Sequence, residues 1–420
     1  MPSTAVGTAV ARRNPMISPL AGPKSRHLGV APLLLGLMLA AGCSPFPTRP
    51  ETRGAEAWIE PSSAAPGAHS DVVSVYAEPF LLWQQLDGDY YLTPRVQTHL
   101  KAEMAMAMAS VVTGNRAFGE SAARDLEWVV RARLQDDGGL QWDGPANDYF
   151  FEVHQHWFLL ASELVRPYSP QASEFDARQL AVWRFLVEEN PAHVDFYRAN
   201  YARSGAFFAF RDVNRAGLFQ TQAPFKGSYE IGAALWSLAL HEVAGGPLAG
   251  VGAVYEGVLR QALASPQRQG FYDFGRGVWV RALRWNGAKW SGHEMNDWKY
   301  SLHMQEGALE ALRLRRDPSL ERAAARHLDY LLARVRGDGF IVGLPDVHGS
   351  ERYELGLALS CLALGAQVYR DTDPRLAARC RAASDQVLAR ALNLFQPESS
   401  EDGAILLHAF CRRALLDAPI

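Results

Sequence analysis

Six stretches of this chain are apolar on every face of a helix. Ser228–Leu240 and Arg352–Leu364 are the clearest, both opening Tyr-Glu-Ile/Leu-Gly before an almost unbroken apolar run. Met304–Leu314, Phe150–Leu160, Glu401–Phe410 and, more loosely, Thr98–Ser110 repeat the pattern. A helix without a polar face has no side to turn to water, so all six are predicted to be buried all round. Between them lie amphipathic stretches: Val72–Leu86, Ala122–Leu134, Glu174–Glu188, Val251–Ala264, Leu320–Val335 and Arg375–Leu394. These are predicted to be surface helices. Several lead into Asp/Gly turns (Asp87-Gly88-Asp89, Asp137-Gly138-Gly139, Asp338-Gly339), where glycine supplies the positive φ that ends a helix.

Six buried helices alternating with six surface helices resemble the (α/α)6 toroid shared by several glycoside hydrolases, polysaccharide lyases and sugar epimerases. The resemblance is architectural, spans residues 70–420 and matches no single family signature. It implies an all-α barrel of inner and outer helices, and an enzyme acting on carbohydrate. Lanthionine and terpenoid cyclases use related toroids, but their zinc-binding Cys/His motifs and Asp-rich motifs are not found here.

Aligned on the shared acidic position, the buried stretches fall at Thr98, Glu152, Glu230, Glu306, Glu354 and Asp402, which are 54, 78, 76, 48 and 48 residues apart. The two long intervals predict inserted β-hairpins. In the first, Ala206–Val213 and Leu218–Gln222 flank Asn214–Gly217; in the second, Gly277–Trp285 and Ala288–Ser291 flank Asn286-Gly287, a strong turn signal. Both insertions precede a buried helix. They belong to the end of the barrel where the buried helices begin, and the resemblance puts the active-site cleft at that end. Residues breaking the apolar pattern collect there: Asp148, Tyr149 and Glu152; Lys226, Tyr229 and Glu230; His293, Glu294, Asn296, Asp297 and Trp298; His348, Glu351, Arg352, Tyr353 and Glu354.

Hydrolysis of a glycosidic bond needs one protonated and one ionised carboxyl, and Glu152, Glu230, Glu294 and Asp297 are candidates, with His293 beside them. β-Elimination from a polyuronate needs a Tyr or His base and a cation, which Tyr229 or Tyr353 with Arg352, His293 or His348 offers. Epimerisation would need two bases on opposite faces of one ring. A first-turn Glu also stabilises a helix dipole and caps N–H groups, so the repeated Glu has a structural reading too. His293–Asp297 is unique among the repeats, although Asp297 could simply cap the next helix. Trp285, Trp290 and Trp298, in a cluster with Trp279, offer flat faces for sugar rings, with Asp148, Tyr229, Arg352 and Tyr353 as further substrate contacts. His154 and His156, two apart on a helix, point to opposite sides and cannot share a metal ion. No metal site, phosphate-binding glycine loop or Gly-x-Ser-x-Gly is present, and no cofactor is expected.

The N-terminus reads as an export signal. Residues 1–28 carry four basic and no acidic side chains, and a short apolar run from Val30 ends in Leu39-Ala-Ala-Gly-Cys43. That ending resembles the lipobox of bacterial lipoproteins, which implies a signal peptide over 1–42, acylation at Cys43, a lipid bilayer as partner and, with Ser44 following, an outer-membrane location. Residues 43–70, rich in Pro, Ser, Ala and Gly, read as a tether to a domain over 71–420. Without residues 1–42, 38 basic residues face 45 acidic ones, which argues against nucleic acid as a partner. Cys361, Cys380 and Cys411 lie in apolar helical stretches and are expected as buried free thiols. The expected function is an envelope-anchored protein cleaving a polysaccharide or oligosaccharide by hydrolysis or elimination. The alternative is a non-catalytic glycan-binding or assembly subunit of a polysaccharide export system.

Overall fold

The computed structural model of the chain describes residues 69–86, 88–90, 95–142, 149–187, 213–214, 225–245, 247–248, 250–268, 270–285, 290–293, 298–344 and 350–416. Twelve helices run through these residues. The outer set is α1 (Ser70–Trp83), α3 (Arg116–Arg133), α5 (Phe175–Val187), α7 (Val251–Leu263), α9 (Pro318–Leu332) and α11 (Pro374–Leu394). The inner set is α2 (Val96–Thr113), α4 (Glu152–Val165), α6 (Ser228–Ala244), α8 (Trp298–Leu314), α10 (Glu351–Val368) and α12 (Glu401–Leu416). Each inner helix packs on the next inner helix, and α12 packs back on α2, so the inner ring closes. The architecture is the (α/α)6 toroid.

Local chemistry explains the alternation. On α4 every residue is buried, and on α10 all but three are. Outer helices bury one stripe, as in α9, where Leu320, Ala323, Ala324, His327, Leu328 and Leu331 face inward. Asn115, Asp317 and Asp373 cap α3, α9 and α11 by accepting first-turn N–H bonds, and Pro318 and Pro374 occupy the first helical turn. The Tyr-Glu-Ile/Leu-Gly motif has a packing role. A Cβ on Gly232 would lie 2.7 Å from Met304 Cα, and one on Gly356 would lie 2.9 Å from Ile405. Glycine at these positions lets α6 approach α8, and α10 approach α12. In the turn after α3, Gly138 has φ 88° and presses on the Ala181 carbonyl of α5, so it needs glycine for both reasons.

Short antiparallel strands decorate the barrel. β1 (Tyr149–Phe150) pairs with β2 (Val213–Asn214), and β4 (Tyr272–Asp273) pairs with β5 (Val278–Trp279). β3 (Phe225–Gly227) leads directly into α6 and pairs with β6 (Ala282–Trp285), which also pairs with β7 (Trp290–His293). One expectation falls mostly outside the described residues, and one changes. Most of the first hairpin, including 218–222, lies outside the described residues, and Val213–Asn214 pairs with Tyr149–Phe150 near the start of α4. The second hairpin forms with a different register: Trp285 sits opposite Trp290, so four residues link the strands rather than Asn286-Gly287 alone. Its long first arm is split. Trp279 belongs to the β4–β5 pair and is fully buried, donating its Nε1–H to Gln305 at 2.7 Å.

A second correction concerns register along the inner helices. α8 starts at Trp298, so Glu306 stands in its third turn, whereas Glu152, Glu230 and Glu354 stand in the first turns of their helices. An apolar helix repeats every three to four residues, and a slip of two turns leaves its pattern unchanged.

Candidate active site

All six inner helices begin at one end of the ring, and side chains from the first three turns of α2, α4, α8, α10 and α12 meet inside it. Lys101 of α2 is buried, yet its ammonium is fully engaged. It donates to Glu401 of α12 at 2.6 Å and to the Tyr353 hydroxyl of α10, and lies 4.6 Å from the Trp157 ring centroid. An ammonium can only donate, so the Tyr353 oxygen accepts from it, and the phenolic proton points to His303 Nε2 of α8, 2.7 Å away. That assigns the other ring proton to Nδ1, which faces Glu306 at 3.7 Å. Glu306 accepts from Ser360 at 2.5 Å, and its first oxygen lies 3.8 Å from His408 Nε2 of α12. His154 of α4 stacks on Trp157 and reaches Gln97, whose amide donates to Glu401. The result is a line of polar groups inside the ring, hydrogen-bonded from Lys101 through Tyr353 to His303, with Glu306 between His303 and His408 beyond hydrogen-bond distance of both.

Burial sets the protonation of these groups. It holds His303 well below the ordinary imidazole range, and the charges of Lys101 and Lys299 push the same way. Burial and Lys101 bring His154 down to about 3. Burial brings His408 down to about 4 against the pull of Glu306. All three imidazoles are neutral near pH 7. Glu401 resists burial because Lys101 holds its carboxyl down to about 2, whereas burial and Glu401 raise the Tyr353 phenol well above its usual value. Neutral imidazoles next to a buried ammonium and a phenol make a site that can take and return protons. Deeper in the ring, Glu310 pairs with Arg412 and Arg313, and Arg412 lies 5.9 Å from the Trp236 ring.

The structure brings some of the expected residues to this site and puts others elsewhere. Tyr353 is at its centre. Tyr229 is half-buried and meets Tyr300 edge-on at 4.7 Å, with the Arg281 guanidinium 5.0 Å from the Tyr300 ring. Glu152 is fully buried and faces His156 at 4.0 Å, whose Nδ1 meets Ser237 of α6. It therefore sits on the α4–α6 seam. Glu230 and Glu354 are also fully buried in their first turns. Arg352, expected as a substrate contact, instead pairs with Glu398 before α12 and covers Phe395 at 5.0 Å. Trp298 is no open platform. It is 6% exposed and packs on Tyr330 of α9, beneath Arg334, as part of the wall between the layers. The backbones of Trp285, Trp290 and His293 are placed by β6 and β7, but their side chains lie outside the described residues, as do Asp148, Glu294, Asp297, His348 and Cys43. His154 and His156 point to different sides of α4, as their spacing requires. Cys361, Cys380 and Cys411 are buried and free.

Lys101, His303, Glu306, Glu401 and His408 were not among the candidates read from the sequence. On α8 a signal was present: Lys299, His303, Glu306, Glu310 and Arg313 recur at spacings of four and three, a polar stripe on an otherwise buried helix. Among the described residues, one group has metal-ligand chemistry, Asp89, His99 and Asp125, at the α2–α3 seam. Asp125 there accepts from the Tyr90 N–H and from His99 Nδ1, so its oxygens are already engaged. No described helix is long and apolar enough to cross a membrane.

No family model matches the chain, and no curated protein sequence does. Solved structures do resemble it. An inactive variant of an α-1,6-mannanase of Salegentibacter, bound to α-1,6-mannotriose, matches 83% of this chain and 99% of its own at 10% identity, with a TM-score of 0.56. Cellobiose 2-epimerase of Bacillus thermoamylovorans matches 75% of this chain and 86% of its own at 12% identity, with a TM-score of 0.54. A D-mannose isomerase matches 84% and 99% at 11% identity, with a TM-score of 0.57. At these identities the likeness establishes the fold.

Proposed function

We propose that this protein is a carbohydrate-processing enzyme that moves protons at carbon, epimerising or isomerising a sugar in its open-chain form. The observation that carries the reading is the pair of neutral imidazoles, His303 and His408, set on either side of Glu306 at 3.7 and 3.8 Å, with Tyr353 and Lys101 on the outer face of His303. A base takes the proton from the carbon next to the carbonyl, and the electron pair moves onto the carbonyl oxygen. The Lys101 ammonium is suited to holding that oxygen. Returning the proton to the opposite face gives an epimer; returning it to the neighbouring carbon interconverts aldose and ketose. Two imidazoles on either side of one carboxylate suit such a return. The fold is shared with an epimerase and an isomerase as well as with mannanases, so the reading rests on the residues.

Among the described residues hydrolysis finds less support. It asks for one protonated and one ionised carboxyl across the bond. At this site Glu401 is tied to Lys101, and Glu306 is engaged by Ser360 between two imidazoles. β-Elimination is the second reading, because Tyr353 and Lys101 supply the phenol and cation that such a reaction uses. The lipobox-like Leu39–Cys43 supports a membrane-tethered enzyme acting at the cell envelope. Fatty-acid labelling that persists in a Cys43→Ser variant overturns that part.

The test is to incubate the full chain with mono- and disaccharides and with uronate polymers in D2O, following C2–H signals by NMR alongside reducing ends and unsaturated products. Loss of C2–H with a new epimer or ketose is the expected result. Unsaturated product moves the assignment to elimination. New reducing ends alone overturn proton transfer in favour of hydrolysis, and silence with retained glycan binding leaves a non-catalytic binder.

A further inference from the structure

We infer that a cleft on the rim of the ring, between α1 and the segment before α12, holds one neutral sugar ring of an oligosaccharide. The inference rests on the reading of the protein as acting on sugar, and it extends the ligand beyond a single residue. The cleft has a volume of about 450 Å³, with Pro79, Leu82 and Trp83 on one wall and Pro397, Glu398 and Ser399 on the other. Trp83 ends α1, and α12 starts at Glu401, three residues after Glu398. That puts the cleft at the end where the inner helices begin. Its walls are tied to each other and to the site inside the ring. The buried Tyr76 hydroxyl of α1 donates to the Phe395 carbonyl at 2.6 Å, which clamps the second wall onto the first. Arg352 covers Phe395 and pairs with Glu398, and its neighbour Tyr353 bonds Lys101. The Glu398 carbonyl presses on Gly403, where a Cβ would lie 2.2 Å from it, so this path requires glycine. At the end of the same segment Glu401 turns inward to Lys101. A cleft with fixed walls needs little ordering to bind.

The lining selects the occupant. Trp83 and Leu82 lie side by side at 60% and 80% exposure, an open indole beside an open leucine. The C–H face of a pyranose covers an indole, while its hydroxyls need acceptors at the edge, the mixture that ligand pockets use. Glu398 supplies an acceptor. Partial burial raises its carboxyl, but hydrogen bonds from Arg352 and Ser400 outweigh that and hold it below its ordinary value. It is therefore ionised near pH 7. An ionised carboxylate accepts from hydroxyls and repels an acidic sugar, which makes the occupant neutral. The same charge disfavours a bilayer. Helix α1 carries Asp71 and Glu78 and no basic side chain, whereas helices that settle on anionic lipid carry Lys and Arg. A concave site of this size also suits a ring better than the broad face of a second copy.

The experiment titrates the full chain by calorimetry with cellotriose, maltotriose and β-1,4-mannotriose, with glucose and mannose, and with trigalacturonate. A neutral trisaccharide is expected to bind about tenfold more tightly than its monosaccharide, as one added stacking contact allows. Trp83→Ala should cut that margin about fivefold or more and Trp83→Phe should keep most of it, each with an unchanged circular dichroism spectrum. Trigalacturonate should bind the natural chain more weakly than the neutral trisaccharide, and Glu398→Gln should narrow the gap. No margin for any neutral trisaccharide overturns the inference, as does a margin that survives Trp83→Ala. Tighter binding of trigalacturonate overturns the neutral assignment. Co-sedimentation with phosphatidylglycerol vesicles that is lost in Trp83→Ala gives the patch to a bilayer instead. A dimer that Trp83→Ala dissociates gives it to a second copy. C2–H exchange in D2O is followed separately on the natural chain. Exchange on monosaccharides without any trisaccharide margin sinks this inference and leaves proton transfer standing. A trisaccharide margin without exchange on any sugar does the reverse.

Discussion

Helix α2 presents two buried polar faces, and they differ in kind. Gln97 and Lys101 look into the ring; His99 and Glu103, two residues on from each, look outward to α3. On the outward face one carboxylate organises everything. Asp125 accepts from the Tyr90 backbone at 3.1 Å and from His99 Nδ1 at 3.0 Å, while burial and the Asp125 charge together push the Glu103 carboxyl well up. Tyr90 bonds Ser121, and Ser121 bonds Gln84, so the cluster is assembled within residues 84–125. The inward face reaches across the whole domain, to Tyr353, His303 and Glu401. Both clusters are buried and both shift proton affinities, so neither property identifies a functional site by itself. What separates them is closure and origin. The outer cluster ties two neighbouring helices and a turn together through one satisfied acceptor. The inner one joins residues from different repeats in an open line of polar groups that ends at the mouth.

The largest expected effects test that contrast directly. Replacing a group in the proton relay should abolish turnover and spare the fold. His303→Ala is expected to lower the proton-exchange rate by about 10²- to 10⁴-fold, the usual worth of a positioned acid or base, with a modest change in thermal midpoint. An active His303→Ala enzyme would dissolve the distinction between the two clusters. Asp125→Ala should behave in the opposite way. Its loss strips His99, Glu103 and the Tyr90 N–H of their shared acceptor and should destabilise the domain by about 3–5 kcal/mol, measured by urea denaturation. The protein that remains folded should keep its turnover per folded molecule. A catalytic defect without a stability loss would place Asp125 in the reaction instead.

The architecture was readable from the chain because burial on all sides is a property of each segment alone. Segments such as Ser228–Leu240 and Arg352–Leu364 admit no exposed face, and the six that resemble them count the inner helices. Their starting points were less readable. Trp298 opens α8, but the resemblance of Met304–Leu314 to its counterparts drew attention two turns too far along. The site was legible in one residue, Tyr353, and missed in the residues around it. Lys101 sits in a run of Met and Ala, and His408 in a run of Leu and Ala, where a buried charge or imidazole demands a partner. The sequence shows that such partners must exist; which helix supplies them is decided by ring closure, which brings residue 101 to residue 401. Aromatic density misled for a related reason. Trp279 and Trp298 are large and apolar enough to be consumed by the wall, and the same indole face serves a core or a sugar.

The smallest effect is the one that distinguishes the two faces of α2 by sign. The axial histidines have folded values depressed by burial, to about 3 for His154 and about 4 for His408. Unfolding lets them protonate near 6.5, so their contribution to stability is full above about pH 6.5 and is lost as pH falls towards those folded values. Glu103 runs the other way. Its carboxyl holds its proton to higher pH in the folded state than in the unfolded chain, where it is lost near 4.5. Its contribution is greatest in acid and declines as pH rises from about 4.5 towards the folded value. Glu103→Gln keeps a donor facing Asp125 and cannot ionise. The variant should therefore unfold at a slightly higher urea midpoint than the natural chain at pH 7 and 8, with the gap closing by about pH 4.5. His303→Ala should leave that gap unaltered, since the two faces share a helix and no titrating group. If Glu103→Gln instead lowers the midpoint at pH 7, the carboxyl is ionised in the folded protein. The outer cluster must then hold a compensating charge.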